Sequence, residues 1–262
     1  PDVVCKEEIL SLLETKWAGR NLVYLETVDS TNDLAKKLAD QGAPEGTLVV
    51  ADEQTGGKGR RGRAWCTPKG SAIAMTIVLR PDIRPELASM VTLVMGLSVA
   101  KAIGSLYPVS VGIKWPNDVV VNGKKICGIL TEMSAEMTGI HYLVIGTGIN
   151  TNVEEFPVAT SLIKELGEKV NRAELIAACL KYFEEYYEKY IAAGNLAPLK
   201  EDYEALLLNR NNKVRVLEPN HEYTGLSLGI NEDGELLVEK EDGTVTAVYA
   251  GEVSVRGVYG YV

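Results

Sequence analysis

The sequence predicts an α+β fold, a mixed or antiparallel sheet with flanking helices followed by a small β-barrel. Three observations predict it. Helical and strand-like segments intermix without the strict βαβ alternation of a doubly wound sheet. Four strand-like segments succeed one another between residues 109 and 150, two of them joined by the tight-turn pair Asn122-Gly123. Past Asn209, short alternating segments are punctuated by Pro219-Asn220, Asn231-Glu232-Asp233-Gly234 and Asp242-Gly243, which gives five strands at hairpin spacing.

Element by element, residues 6–16 carry Ile9, Leu10, Leu12 and Leu13 at helical spacing, with acids early and Lys16 late. Residues 21–27 alternate as a strand. Ser30-Thr31-Asn32 then caps a helix running to about Gln41, which Gly42 ends. Residues 47–53 read as a buried strand and 71–79 as another. Residues 85–106 place Leu87, Met90, Val91, Val94 and Leu97 every three or four positions, a long core-facing helix. Strands follow at 109–114, 119–121, 125–132 and 141–150. Residues 171–190 and 196–208 read as helices. The first is rich in Tyr, which more often packs a core than binds a ligand. We expect an N-terminal helix and linker over 1–20, a main unit over 21–210 and a small β unit over 211–262.

Composition narrows the function. The 262 residues are 46% hydrophobic and 24% charged, with 36 Asp+Glu against 27 Lys+Arg and a net charge of −9. That balance gives no broad electrostatic footprint for nucleic acid. No recognition helix preceded by a turn is found, so this chain alone is expected not to bind DNA. No apolar run approaches the roughly 18 residues that span a bilayer, and no signal peptide opens the chain. Cys5, Cys66, Cys127 and Cys179 are scattered without a C-x-x-C pair, as free thiols of a reducing cytoplasm would be. Two His are too few for a His-based metal site.

Against this acidic background, residues 56–63 (GGKGRRGR) hold four glycines and four cations, and Trp65 follows. Such a run builds no core, because glycine raises the entropy cost of ordering and the cations repel one another. It can wrap an anion, since glycines let N–H groups approach closely and Arg forks fit phosphate or carboxylate. A solvated loop and an RNA-binding segment are the competing readings, and the G-x-x-x-x-G-K-[ST] spacing of a phosphate loop is absent. A second stretch, Lys114-Trp115-Pro116-Asn117-Asp118, delivers Lys114 to a strand end where Pro116 forbids a helix. That lysine is either an ordinary exposed cation or a catalytic one, and Trp115 is most simply core. A third, Lys125–Glu132, carries Gly128 inside a β-branched strand, a mark of close approach by another group. Gly146-Thr147-Gly148-Ile149-Asn150 repeats that character and offers an amide at its end.

In this order the segments resemble one family, the biotin protein ligases. The resemblance runs from Asp29-Ser30-Thr31-Asn32 through Glu53–Trp65, Lys114–Asp118, Lys125–Glu132 and Gly146–Asn150 to Gly251-Glu252-Val253-Ser254-Val255-Arg256. It implies a ligase-like catalytic domain with an SH3-like β-barrel behind it. The implied reaction has two steps. Biotin's carboxylate attacks the α-phosphorus of ATP, giving biotinyl-5′-adenylate and pyrophosphate; a lysine of a biotin carboxyl carrier domain, in acetyl-CoA carboxylase or a related carboxylase, then attacks the anhydride.

The resemblance implies that Lys114 and Arg60 are catalytic, with Lys114 contacting biotin's carboxylate and the α-phosphate. Ser30, Thr31, Asn32 and Gln54 would bond the neutral ureido head, which both donates and accepts. Helix capping is the other reading of Ser30 and Thr31, and the roles can coexist. Lys58, Gly59, Arg60 and Gly128 would surround biotin; Arg63, Trp65, Asn150 and Arg256 would meet the nucleotide. It also implies Mg²⁺, with no ligands identifiable, and is compatible with a homodimer. Residues 1–20 resemble the linker behind a DNA-binding domain in bifunctional members, so the ligand-sensing part of a repressor is the alternative. A lipoate–protein ligase lacks this Gly-rich stretch, and a pure biotin binder needs no phosphate-facing cations.

The Gly-rich run should be an open, protease-accessible loop when empty and should close on an anionic ligand. Tryptic cleavage after Lys58, Arg60, Arg61 or Arg63 is expected to slow markedly when biotinyl-adenylate is added. Unchanged cleavage rates would mean that the loop is not gated by ligand.

Overall fold

The computed structural model describes residues 2–154, 159–251, 254–258 and 261. Its main unit begins with α1 (Lys6–Leu12), β1 (Leu22–Val28), α2 (Thr31–Asp40), β2 (Leu48–Gln54) and β3 (Ile73–Leu79). A 3₁₀ turn over Pro85–Met90 leads into α3 (Val91–Leu106). Then come β4 (Val111–Lys114), β5 (Asp118–Val121), β6 (Lys124–Glu136), β7 (Gly139–Ile149), α4 (Leu162–Leu166), α5 (Arg172–Ala193) and α6 (Ala197–Leu206). The C-terminal unit contributes β8 (Lys213–Glu218), β9 (His221–Ile230), β10 (Leu236–Glu239), β11 (Val245–Val248) and β12 (Ser254–Gly257).

The expected mixed sheet is present: seven strands in the order β1-β2-β3-β7-β6-β5-β4, parallel only between β1 and β2. The five later strands form a separate antiparallel sheet, β11-β10-β9-β8-β12. Strand alternation divides the large sheet into two faces. Leu48, Val50, Met75, Ile77, Ile145 and Ile149 point to one face and join the main core with α3 and α5. Val49, Val78 and Val144 point to the other, where Ala35 and Ala39 of α2 cover them. The short helix α2 covers only part of that second face.

Three expectations need correction. The first helix ends at Leu12 rather than Lys16, because Leu13 is extended (φ −66°, ψ 131°). The buried Glu184 carboxylate of α5 accepts the backbone N–H groups of Lys16, Trp17 and Ala18, which captures donors that a longer helix would orient along its own axis. The 85–106 segment is, by length and composition, apolar enough to cross a membrane. Its apolar window is 78% buried inside the protein, and α3 is apolar on all sides because it lies between sheet and α5. Strands β6 and β7 run longer than expected, to an exposed hairpin tip at Met137; α4 carried no periodicity and was not anticipated.

Trp115, expected in the core, joins the two sheets. Its ring is 1% exposed, its Nε1 donates to the Gly234 carbonyl at 2.9 Å and its backbone N–H donates to Asn209 Oδ1 at 2.9 Å. On the other flank, the buried Arg172 guanidinium binds Asp2 and Asp52, each at 2.7 Å, and Asp52 in turn accepts the Gly70 N–H.

Replacing Arg172 by Met leaves two mostly buried carboxylates without their cation. Loss of one partner of such a set costs about 3–5 kcal/mol. A correspondingly lower urea midpoint with an unchanged slope is the expected outcome; a shift under about 1 kcal/mol would mean that water already serves these carboxylates.

Candidate functional site

On the part of the second sheet face that α2 leaves bare lies a cavity of about 580 Å³. Its floor follows from strand register. Gly128 of β6 pairs with Gly148 of β7, Gly148 with Ala74 of β3, and Ala74 with Ala51 of β2. Residues directly opposite share a face, so a row of the smallest side chains crosses four strands. Into it the Trp65 ring descends. A Cβ on Gly128 would stand 2.8 Å from that ring, and one on Gly148 would collide with the indole nitrogen. One row further, Gly146 sits beneath the Asn32 amide, which a Cβ there would also strike.

One end of the cavity is uncharged and tightly bonded. Ser30 caps α2 by accepting the Asp33 N–H at 3.3 Å, so capping and cavity lining do coexist. Gln54 Oε1 accepts from the Thr31 N–H (2.8 Å) and hydroxyl (3.0 Å), and its amide donates to Thr67 at 3.1 Å. The Thr76 hydroxyl lies 2.7 Å from Asn32 Oδ1, and Asn32 Nδ2 donates to Glu132 at 3.0 Å. Hydroxyls and amides held this way present both donors and acceptors at little ordering cost.

The other end is cationic. Lys114 closes β4 and is 7% exposed. Burial pulls its pKa down to about 8, with Arg256, Lys125 and Arg60 lowering it further and Asp118 opposing them. Arg60 reaches from the Gly-rich loop to Asn117 Oδ1 (2.9 Å) and to the Gly251 carbonyl (3.3 Å), and burial lowers its pKa also. Lys58 pairs with Asp33 at 2.8 Å, which lays the loop on the first turn of α2. Gly59 lies close to the Arg63 backbone, and Gly59, Arg63 and Arg256 line the walls. The loop is therefore shaped by a 3₁₀ turn at Arg60–Gly62 and a bridge between Lys58 and Ala64.

Every site residue singled out from the sequence lines this cavity except Asn150. The chain after β7 folds back over it: the Leu162 N–H donates to the Asn150 carbonyl at 3.0 Å, and the residue is only 2% exposed. Glu252 and Val253 of the final motif lie outside the described residues. Sequence reasoning assigned no role to Asn117, Asp118, Lys125 or Tyr261, all of which line the cavity. The first three lay inside quoted motifs, and the available clue was Asp118 standing across the β4–β5 turn from Lys114, with Asn117 in that turn and Lys125 on the next strand, β6. Tyr261 offered none, because only tertiary folding brings it there.

Asp118 is a carboxylate of this lining, and it already forms an ion pair with Lys125 (3.0 Å) and accepts the Tyr261 hydroxyl. Among the described residues no three His, Cys, Asp or Glu side chains gather as a metal cage. A divalent ion could enter with a phosphate ligand but would find no preformed protein cage. The arrangement suits a reaction between two anions, one with a neutral polar head, in which fixed cations offset growing charge.

Residues 24–150 match the biotin/lipoate A/B protein ligase family, and residues 211–256 match the biotin protein ligase C terminal domain. The chain is 38% identical to the bifunctional ligase/repressor BirA of Bacillus subtilis, over 97% of this chain and 79% of that protein. It is 33% identical to the biotin–[acetyl-CoA-carboxylase] ligase of Paracoccus denitrificans, over 82% and 92% of the two chains. Among solved structures it resembles the biotin protein ligase from Aquifex aeolicus in complex with biotin and ATP, with a TM-score of 0.78 and 32% identity, covering 91% of this chain and 99% of that one.

Proposed function

The chain belongs to the biotin/lipoate A/B protein ligase family, and from that premise we propose how its cavity performs biotin ligation. The protein is an ATP-dependent biotin protein ligase: it activates biotin as biotinyl-5′-AMP, releasing pyrophosphate, and transfers biotin to a lysine of a carrier protein. The observation that carries the mechanism is the polarity of one cavity, with a neutral hydroxyl–amide end under α2 and a cluster of cations at the other.

In our reading, Ser30, Thr31, Asn32 and Gln54 hold the ureido head, and Gly128 borders the body of the ligand once the Trp65 ring that now covers it shifts aside. Biotin's carboxylate then lies towards Lys114. Its oxygen forms a bond to the α-phosphorus while the bond to the pyrophosphate oxygen breaks. Negative charge on the five-coordinate centre is offset by Lys114 and Arg60, with Arg63 and Arg256 along the nucleotide. Lys58 and Gly59 close the loop. Trp65, already seated over Gly128 and Gly148, offers a flat apolar surface to adenine. In the second step the carrier lysine's amine attacks the acyl carbon and AMP leaves. Magnesium, when bound, screens the phosphates of ATP. We read residues 21–210 as the catalytic unit and 211–262 as the β unit that contributes Arg256. A cytoplasmic setting fits the four free thiols; the acceptor is a biotin carboxyl carrier domain.

Biotin-dependent exchange of labelled pyrophosphate into ATP, and a carrier domain gaining the mass of one biotinyl group, test the reading directly. Exchange supported by lipoate and not by biotin would overturn it.

Lys114→Ala should slow adenylate formation roughly 10²–10³-fold while weakening biotin binding less, because the charge it meets develops only in the transition state. Near wild-type adenylation would make Lys114 a bystander. In the wild type, the ammonium of the free protein is lost as pH rises through about 8. The kcat/KM for adenylation should therefore fall on that limb, and Lys114→Arg, charged throughout, should lose the limb. A flat profile from pH 7 to 9 in the wild type would contradict the assignment.

A further inference from the structure

Lys114 and Asp118 are cross-strand partners at the β4–β5 turn, an arrangement that ordinarily produces an ion pair. Among the described residues no ion pair joins them. Both oxygens of Asp118 are engaged elsewhere: Oδ1 by Lys125 Nζ at 3.0 Å and Oδ2 by the Tyr261 hydroxyl, which donates to it. The Lys114 ammonium rests instead over the Tyr261 ring, 3.5 Å from its centroid. An aromatic face attracts a cation without neutralising it. Tyr261 thus touches both partners at once, donating to the anion with its hydroxyl and supporting the cation with its ring.

We propose that Tyr261 is a positioning residue for adenylation, which holds the Lys114 ammonium in place and keeps the Asp118 carboxylate from pairing with it. This rests on the reading of Lys114 as the adenylation cation. A lysine salt-bridged to its neighbour would have to break that pair before meeting biotin's carboxylate and the α-phosphate. A lysine lying on a ring keeps its full charge for them. Burial of the Tyr261 phenol, with Asp118 beside it, raises its pKa far above neutrality, so it stays a donor wherever the reaction runs. The groups facing Lys114 are Asp118 from β5, Lys125 from β6, Arg60 from the Gly-rich loop, Arg256 from β12 and Tyr261 itself. Three of these are cations that Lys114 must coexist with; Asp118 is the anion among them, and Tyr261 restrains it.

The test compares Tyr261→Ala and Tyr261→Phe in the full chain by biotin-dependent pyrophosphate exchange across pH 6–10. In parallel, the Lys114 ammonium is titrated by NMR with ¹⁵N-labelled lysine in the free protein. Tyr261→Ala gives up the ring's attraction for the ammonium, but it also admits water and frees Asp118. Relief of burial, the largest cause of the lowered pKa, together with the freed carboxylate outweighs that loss. The Lys114 titration should therefore move above about 8, while kcat below the limb falls roughly 5- to 30-fold, the size of a partly desolvated cation–π contact. Tyr261→Phe keeps the ring and frees only one carboxylate oxygen, so its loss should be smaller. Adding Asp118→Asn to Tyr261→Ala should recover part of the rate, because no carboxylate then remains to pair. A rate loss with the titration unmoved and no recovery in the double variant would reduce Tyr261 to a packing residue and overturn the proposal. So would an unaltered rate in Tyr261→Ala. Wild-type protein without biotin-dependent exchange would refute the ligase reading instead, and the lysine titration would still judge the contact with Tyr261.

Discussion

The site depends on a row of residues too small to fill the space above them. Ala51, Ala74, Gly148 and Gly128 are brought opposite one another by the register of β2, β3, β7 and β6. Any larger side chain in the two glycine positions would expel the Trp65 ring, and with it the end of the cationic loop. A slip of one residue in β7 would turn Ile145 and Ile149 into the cavity and the glycines into the core. Packing on the opposite face fixes that register, since Met75, Ile77, Ile145 and Ile149 belong to the main core with α3 and α5. The apolar core and the cavity are thus two sides of one constraint.

Electrostatics adds a second requirement. Lys114, Arg60, Arg63, Lys125 and Arg256 converge on one cavity of a protein whose net charge is −9. Burial is the main cause of the depressed pKa of Lys114, and the convergence of Arg256, Lys125 and Arg60 lowers it further against the opposing Asp118. That convergence is tolerated because the cations come from separate rigid elements, two from the ends of sheet strands and others from the loop and the second sheet. Trp115 fixes the second sheet against the first through Gly234 and Asn209. Fixed cations that need not reorganise during reaction are the condition for stabilising charge in a transition state.

Much of this was legible in the chain. The Gly-rich cationic run, the lysine before Trp115-Pro116 and the glycine-bearing strands were each local patterns with a chemical meaning, and all but Asn150 among the chosen residues meet in the cavity. The failures were of one kind. Periodicity carried α1 to Lys16, but Glu184, distant in sequence, captures the N–H groups that end it. The resemblance implies a nucleotide contact for Asn150, and in the structure that residue is 2% exposed and stands outside the cavity lining.

By itself, the sequence determined what is encoded locally: which segments alternate or turn, where glycine permits close approach, which stretches carry anion-binding charge, and the resemblance those motifs bear as an ordered set. Tertiary structure alone decided which strand faces which and therefore where the small residues align. It also decided that α3, apolar enough for a membrane, is a core helix, and that Tyr261 lies between Lys114 and Asp118. The physical reason is range. Turn geometry, capping and charge patterning act over a few residues and leave a trace in spacing. Register, burial and the meeting of distant side chains are set by how much surface the whole chain can remove from water at once, and no local spacing records that.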